Sequence, residues 1–207
     1  MVQKHRLNLT GAVLAGGKGK RLGVPKAFIK INGERLLDSI LSLFTELFET
    51  TLLISGEYEL NVSPPNVKVV NDLYPSFGPI GGLITAIKNS TTQWLFMTGC
   101  DYPMLKTELI RYVSEKALNH PQYDLVIPHV NGYYQVLHAA YNRRLEKVVE
   151  QRIGQRRYSI KSMIKFAPIK TLVISEEEIR EVDPELVSFV NLNTQDEVEK
   201  YNLKVTV

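Results

Sequence analysis

Residues Leu9–Ala15 form an apolar run of strand length that ends abruptly in Gly16-Gly17. A short, continuously apolar run bounded by glycines reads as a strand buried on both faces, as in a parallel sheet. Parallel strands need crossover connections, and the next hundred residues supply them. Glu34–Phe48 is helical, with Leu36, Leu37, Ile40, Leu41, Phe44, Leu47 and Phe48 on one face. Thr50–Ser55 and Val67–Val70 are β-rich, separated by a loop at Pro64-Pro65. Ile80–Asn89 and Thr107–Leu118 read as helices around a fourth strand, Trp94–Thr98. The alternation predicts an α/β fold, a mostly parallel sheet with helices on both faces.

In the second half, Asn131-Gly132 marks a hairpin between Asp124–His129 and Gln135–Tyr141. Helices are predicted at Arg143–Arg152 and Ser159–Phe166, and strands at Thr171–Ile174 and Val187–Val190. Thr194 and Glu197 form a capping box that opens a last helix. With 207 residues, no repeat and no linker, a single domain over 1–207 is expected.

Composition removes several functional classes. Lys+Arg exceed Asp+Glu by 25 to 22, a net charge of +3 that is too weak for a nucleic-acid binder. One cysteine, Cys100, allows neither an internal disulfide nor a cysteine-based zinc site. The N-terminus lacks the apolar core of a signal peptide, and no run reaches the ~20 residues that span a bilayer. A cytoplasmic protein without membrane partners is expected.

Four glycines at 16, 17, 19 and 23, with Lys18, Lys20, Arg21 and Lys26, follow the first strand. Glycines let the backbone approach a ligand and aim several N–H groups at one anion, and the cations suit a triphosphate. The segment is neither a P-loop nor a dinucleotide fingerprint, since Leu22 stands where the latter needs its third glycine. A solvated, exposed loop is the competing reading. Placement at a strand's carboxyl end, where ligands of such sheets sit, favours phosphate. Asp101 follows the fourth strand and precedes Pro103; a carboxylate there suits Mg²⁺ or an ordinary Asx turn. Asp72 ends the third strand, as a base or ribose contact or as a turn initiator. Gly78-Pro79-Ile80-Gly81-Gly82 opens a helix whose first turn can approach a ligand. Asn191 and Asn193 alternate and present amides on one side. The four histidines lack metal-ligand spacing, and His138 reads as structural. The basic residues Arg152, Arg156, Arg157, Lys161 and Lys165 read as a solvated helix face rather than an acceptor-phosphate site.

These segments together resemble a known family. LAGGKGKRLGVPKA, FGPIGG, GCDYP, QVLHAAY and VNLNT occur in the order found in the molybdenum cofactor guanylyltransferases, the MobA family. The resemblance spans nearly the whole chain. It implies a three-layer, Rossmann-like nucleotidyltransferase fold, with nucleotide on the N-terminal half and acceptor on the C-terminal half. It implies GMP transfer from GTP to Mo-molybdopterin, with Mg²⁺ as cofactor and partners among molybdenum-insertion proteins and molybdoenzymes. Leu14, Ala15, Gly16, Gly17, Ser55 and Asp72 then fall at nucleotide-binding positions. Arg21 and Lys26 are the basic pair at the triphosphate, Asp101 is the metal ligand and a nucleotide contact, and Gly81, Gly82, Asn191 and Asn193 lie toward the acceptor. Ser55 departs from the asparagine often found there. A related transferase using CTP or a sugar-phosphate acceptor, and a non-catalytic nucleotide-binding module, therefore stay open.

Overall fold

The structure is a computed structural model, and it describes residues 5–16, 26–56, 60, 64, 66–192 and 205–206. Its main sheet is built from β1 (Leu7–Leu14), β4 (Phe48–Ser55), β5 (Val67–Asn71), β6 (Trp94–Gly99), β7 (Leu125–Val130), β8 (Tyr133–Tyr134), β9 (His138–Asn142) and β10 (Thr171–Ile174). The order across it is β10-β7-β9-β6-β1-β4-β5, with β8 paired to β7. β1 runs parallel to both β4 and β6, β4 to β5, and β7 to β10. β9 is antiparallel to β6 and to β7. The sheet is therefore mostly parallel, as the alternation predicts, with the hairpin strands as its antiparallel insertion. The chain leaves β1 toward β4 and β5, then returns to β6 on β1's other side. The strand order thus reverses beside β1, which is where such sheets open a ligand crevice.

Helices cover both faces. α1 (Leu36–Leu47) and α3 (Thr107–Asn119) share one apolar core with Leu9 and Val13 of β1, where Phe44, Phe48 and Phe96 pack ring to ring at 5.2–6.2 Å. α2 (Pro79–Asn89), α4 (Glu146–Gly154) and α5 (Ile160–Phe166) share the other core with Ala12. Alternate residues of β1 feed opposite cores, as the two-residue period of a strand requires.

Three expectations need correction. Helix α1 starts at Leu36, because Glu34–Arg35 is a strand (β3) paired with Lys30–Ile31 (β2) around Asn32-Gly33. Both turn residues have positive φ, 52° and 87°, as a tight hairpin needs. Val205–Thr206 (β11) adds to that small sheet. Phe48 passes directly from α1 into β4. Val187–Val190 is not a strand: Val187–Phe189 is a 3₁₀ turn, held by the Ser188 N–H donating to Asp183 Oδ2 at 2.9 Å. A further helix, α6 (Glu176–Arg180), is opened by a Ser175/Glu178 capping box. Asn131 and Gly132, at φ 52° and 77°, make the expected turn. The helix predicted from Thr194 lies outside the described residues. Among the described residues no helix is long and apolar enough to cross a membrane.

Candidate active site

The carboxyl end of β1 is laced to β4 on one side and to the segment after β6 on the other. Ala15 N–H donates to Ile54 O at 2.9 Å and Cys100 N–H to Leu14 O at 3.1 Å. This continuation fixes Asp101 opposite the 3₁₀ turn Lys26–Phe28, and Lys26 Nζ lies 2.5 Å from Asp101 Oδ2. Both side chains are mostly buried, at 24% and 11% exposed. A charge-assisted pair so shielded from water is held firmly. The pair borders a cleft of about 240 Å³, which Leu14, Gly16, Asp72, Gly78 and Gly82 also line.

The predicted residues divide by what they do here. Leu14, Gly16, Lys26, Asp72, Gly82 and Asp101 come together in the cleft. Ala15 is buried and takes part through its backbone. Ser55 is not among the lining residues. It is buried, and its hydroxyl points to β5, donating to Asn71 Oδ1 at 3.1 Å, while its carbonyl accepts from Asp72 N–H at 2.8 Å. Gly17, Arg21 and Asn193 lie outside the described residues. Asn191 sits on the Asp101 side: its side chain is near the Tyr102 hydroxyl, and the next residue, Leu192, donates its N–H to Asp101 O at 2.9 Å.

Gly82 lines the cleft, and both Gly81 and Gly82 also permit close approach of the chain itself. A Cβ on Gly81 would stand 2.4 Å from the Tyr74 carbonyl oxygen, and one on Gly82 2.6 Å from Leu14 Cδ2. The side chain of Leu14 can give; a backbone carbonyl cannot without moving the 72–74 turn off α2. Gly81→Ala is therefore expected to lower stability by about 1–3 kcal/mol, read as a drop in urea midpoint at unchanged m-value.

The floor beneath Asp101 is aromatic. Tyr102 meets His138 edge to face at 4.2 Å between ring centres, and Phe189 packs on the same imidazole at 5.1 Å. His138 is fully buried, and neither ring nitrogen makes a well-formed hydrogen bond. Burial pushes its pKa down to about 3, against the opposing pull of Asp183 and the Ser188 backbone. It stays neutral and is structural, as its place on a strand suggested. Burial and then Asp101 push the Cys100 thiol up to about 12, so it is an inert apolar filler. The basic segment also needs one correction. Arg152 is buried and ties α4 to α5 through Ser162 Oγ at 2.6 Å, while Arg156, Arg157, Lys161 and Lys165 are exposed.

Two groups at the site were not singled out from the sequence, although Leu137 falls within QVLHAAY. Leu137 lines the cleft from the hairpin arm, and Thr85 lies one helical turn past Gly81 and Gly82, beneath Asp72.

A cleft at the strand reversal of such a sheet, walled by a glycine-opened strand end and a Lys–Asp pair, defines a nucleotidyltransferase-type α/β fold. The chain belongs to the MobA-like NTP transferase family, whose model matches residues 11–171. It is 31% identical over 193 residues to a molybdenum cofactor guanylyltransferase of Desulfosudis oleivorans, covering 93% of each chain. The fold is similar to that of molybdopterin-guanine dinucleotide biosynthesis protein A from Archaeoglobus fulgidus, with a TM-score of 0.77 and 24% identity over 93% of this chain and 96% of that one. It is also similar to that of a 2-C-methyl-D-erythritol 4-phosphate cytidylyltransferase from Francisella tularensis, with a TM-score of 0.70 and 16% identity over 94% and 98%. Both of these structural likenesses speak for the fold alone.

Proposed function

We propose that this chain transfers GMP from GTP to Mo-molybdopterin, giving molybdopterin guanine dinucleotide and pyrophosphate. The observation that carries the reading is the Lys26–Asp101 pair at the carboxyl ends of β1 and β6. The names of the relatives supply the substrates. In this reading nucleotide occupies the N-terminal half and acceptor the C-terminal half of one domain. The single cysteine, buried and unpaired, supports a cytoplasmic setting.

The acceptor's phosphate oxygen attacks the α-phosphorus in line. A new P–O bond forms as the α–β bridge breaks, and the electron pair leaves with pyrophosphate. The nucleophile is already an anion, so no general base is required. Positioning and charge stabilisation are the protein's work. Asp101 is the residue that would hold a divalent cation, for which Mg²⁺ is our reading. The donor set fits an ion that arrives with its nucleotide: no cluster of three or more ligating residues exists among the described residues, and Mg²⁺ typically takes one or two carboxylates plus phosphate oxygens and water. Held by Asp101, such an ion would supply neutralisation of the phosphate charge. Lys26, the loop amides and Arg21 are the groups assigned to the phosphates. Gly81 and Gly82 keep α2 against Leu14 and the 72–74 turn, and Asn191 and Asn193 are the residues assigned to the acceptor.

Pyrophosphate release tests this, with Mg²⁺, Mo-molybdopterin and GTP, CTP or ATP in separate reactions. Release with GTP alone is expected, because a site that hydrogen-bonds one base rejects others by large factors. Release with CTP alone would reassign the base. Silence with all three, from a protein that still binds nucleotide, would overturn the reading.

A further inference from the structure

Asp72 is held unusually well for a carboxylate at the rim of a cleft. Its N–H is fixed by Ser55 O at 2.8 Å. Its Oδ1 accepts from the Tyr74 N–H at 3.0 Å and from the Thr85 hydroxyl at 2.9 Å. Thr85 is fully buried on α2, and its oxygen also accepts the Leu73 N–H at 3.0 Å and lies 2.9 Å from Gly81 O. One buried hydroxyl therefore joins the end of β5, the 72–74 turn and the first turns of α2. Because Oδ1 is occupied twice, the carboxylate cannot turn freely about its last bond. Among the described residues Oδ2 has no partner, and Asp72 lines the cleft.

We propose that Thr85 is a positioning residue for nucleotide binding, acting through Asp72. The hydroxyl locks Oδ1 so that Oδ2 is presented to the cleft as a fixed acceptor for a donor on the nucleoside, a sugar hydroxyl or a base N–H. An ionised carboxylate only accepts, and it repels phosphate, so the nucleoside end is the part of the ligand it suits. A prearranged acceptor loses no torsional freedom on binding. This inference rests on the reading of the chain as a nucleotidyltransferase.

The test separates Thr85 from both the fold and the reaction. Nucleotide affinity is measured directly by calorimetry with Mg²⁺ on the full chain, using whichever of GTP, CTP and ATP the wild-type protein binds most tightly. Steady-state constants for both substrates are measured alongside. Thr85→Val keeps the shape and removes the hydroxyl. It is expected to weaken nucleotide binding about tenfold or more, the ordinary loss for a hydrogen bond to a charged group. The nucleotide KM should rise with it, while the acceptor KM stays put. Thr85→Ser should restore binding. Asp72→Asn combined with Thr85→Val should bind no worse than Asp72→Asn alone, because both act on one contact. Unchanged affinity in Thr85→Val, additive losses in the double variant, or equal rises in both KM values would each overturn the proposal. If wild type binds nucleotide but releases no pyrophosphate, the transferase reading fails and the binding arm still decides the role of Thr85. If wild type binds none of the three, the proposal falls too.

Discussion

Asp101→Ala should cut turnover by about two to three orders of magnitude, on the order of 3 kcal/mol, the usual cost of removing one preorganised electrostatic contact from a reacting centre. Lys26→Ala should cost a similar amount. Each change removes half of a pair closed at 2.5 Å in a shielded setting, so the surviving charge also loses that contact. The two losses should not add: the double variant is expected to be far less impaired than the product of the singles. Rates of pyrophosphate release at saturating GTP and acceptor provide the check. Near-normal turnover in either single variant would remove the pair from the chemistry.

The second large effect is on stability and appears as pH falls. His138 has a pKa near 3 when folded, against 6.5 for the ordinary side chain. Below pH 6.5 the unfolded chain takes up a proton that the folded chain refuses. Stability therefore falls with acid from about pH 6.5 down toward pH 3. The slope approaches about 1.4 kcal/mol per pH unit once the unfolded histidine is protonated. Carboxylates add their own loss only further down. Glu176 is held below 4.5 by the Asn131 N–H and then Arg180, and Glu178 below 4.5 by Lys116 and then the Ser175 N–H. Burial alone would raise Asp183, but Lys106 and the Ser188 N–H hold it below 3.8. The interval from pH 6.5 to 5 thus isolates His138 among these groups. Urea midpoints across it should slope for the wild type and flatten in His138→Phe. A slope retained in the variant would assign the acid sensitivity elsewhere.

The parallel half of the sheet was legible because its strands are buried on both faces, so apolar runs and intervening amphipathic helices write the order directly. The site was legible where chemistry sits at strand ends: Leu14, Gly16, Lys26, Asp72 and Asp101 are found around one cleft. What failed to show has identifiable causes. The β2–β3 hairpin hides in four residues around Asn32-Gly33, too few for a period to declare itself. Val187–Val190 has strand composition, yet Asp183 captures the Ser188 N–H and winds the segment into a turn. Gly81 and Gly82 read as openings for a ligand, and Gly82 does line the cleft; that their missing side chains also make room for Tyr74 and Leu14 has no signature in the sequence. Thr85 was silent because a lone threonine in an apolar helix carries no pattern; only the approach of Asp72 gives it a role.

The Lys26–Asp101 contact also bears on which solutes can open the cleft. In the resting state each charge already satisfies the other. A bare metal ion offers Asp101 a new partner but only at the cost of its contact with Lys26. Inorganic phosphate does the reverse, relieving Lys26 and stranding the carboxylate. Only a solute that carries cation and anion together can replace both at once, and a metal–nucleotide complex is such a solute. Under the proposed function the pair would therefore yield more readily to metal and nucleotide together than to either alone.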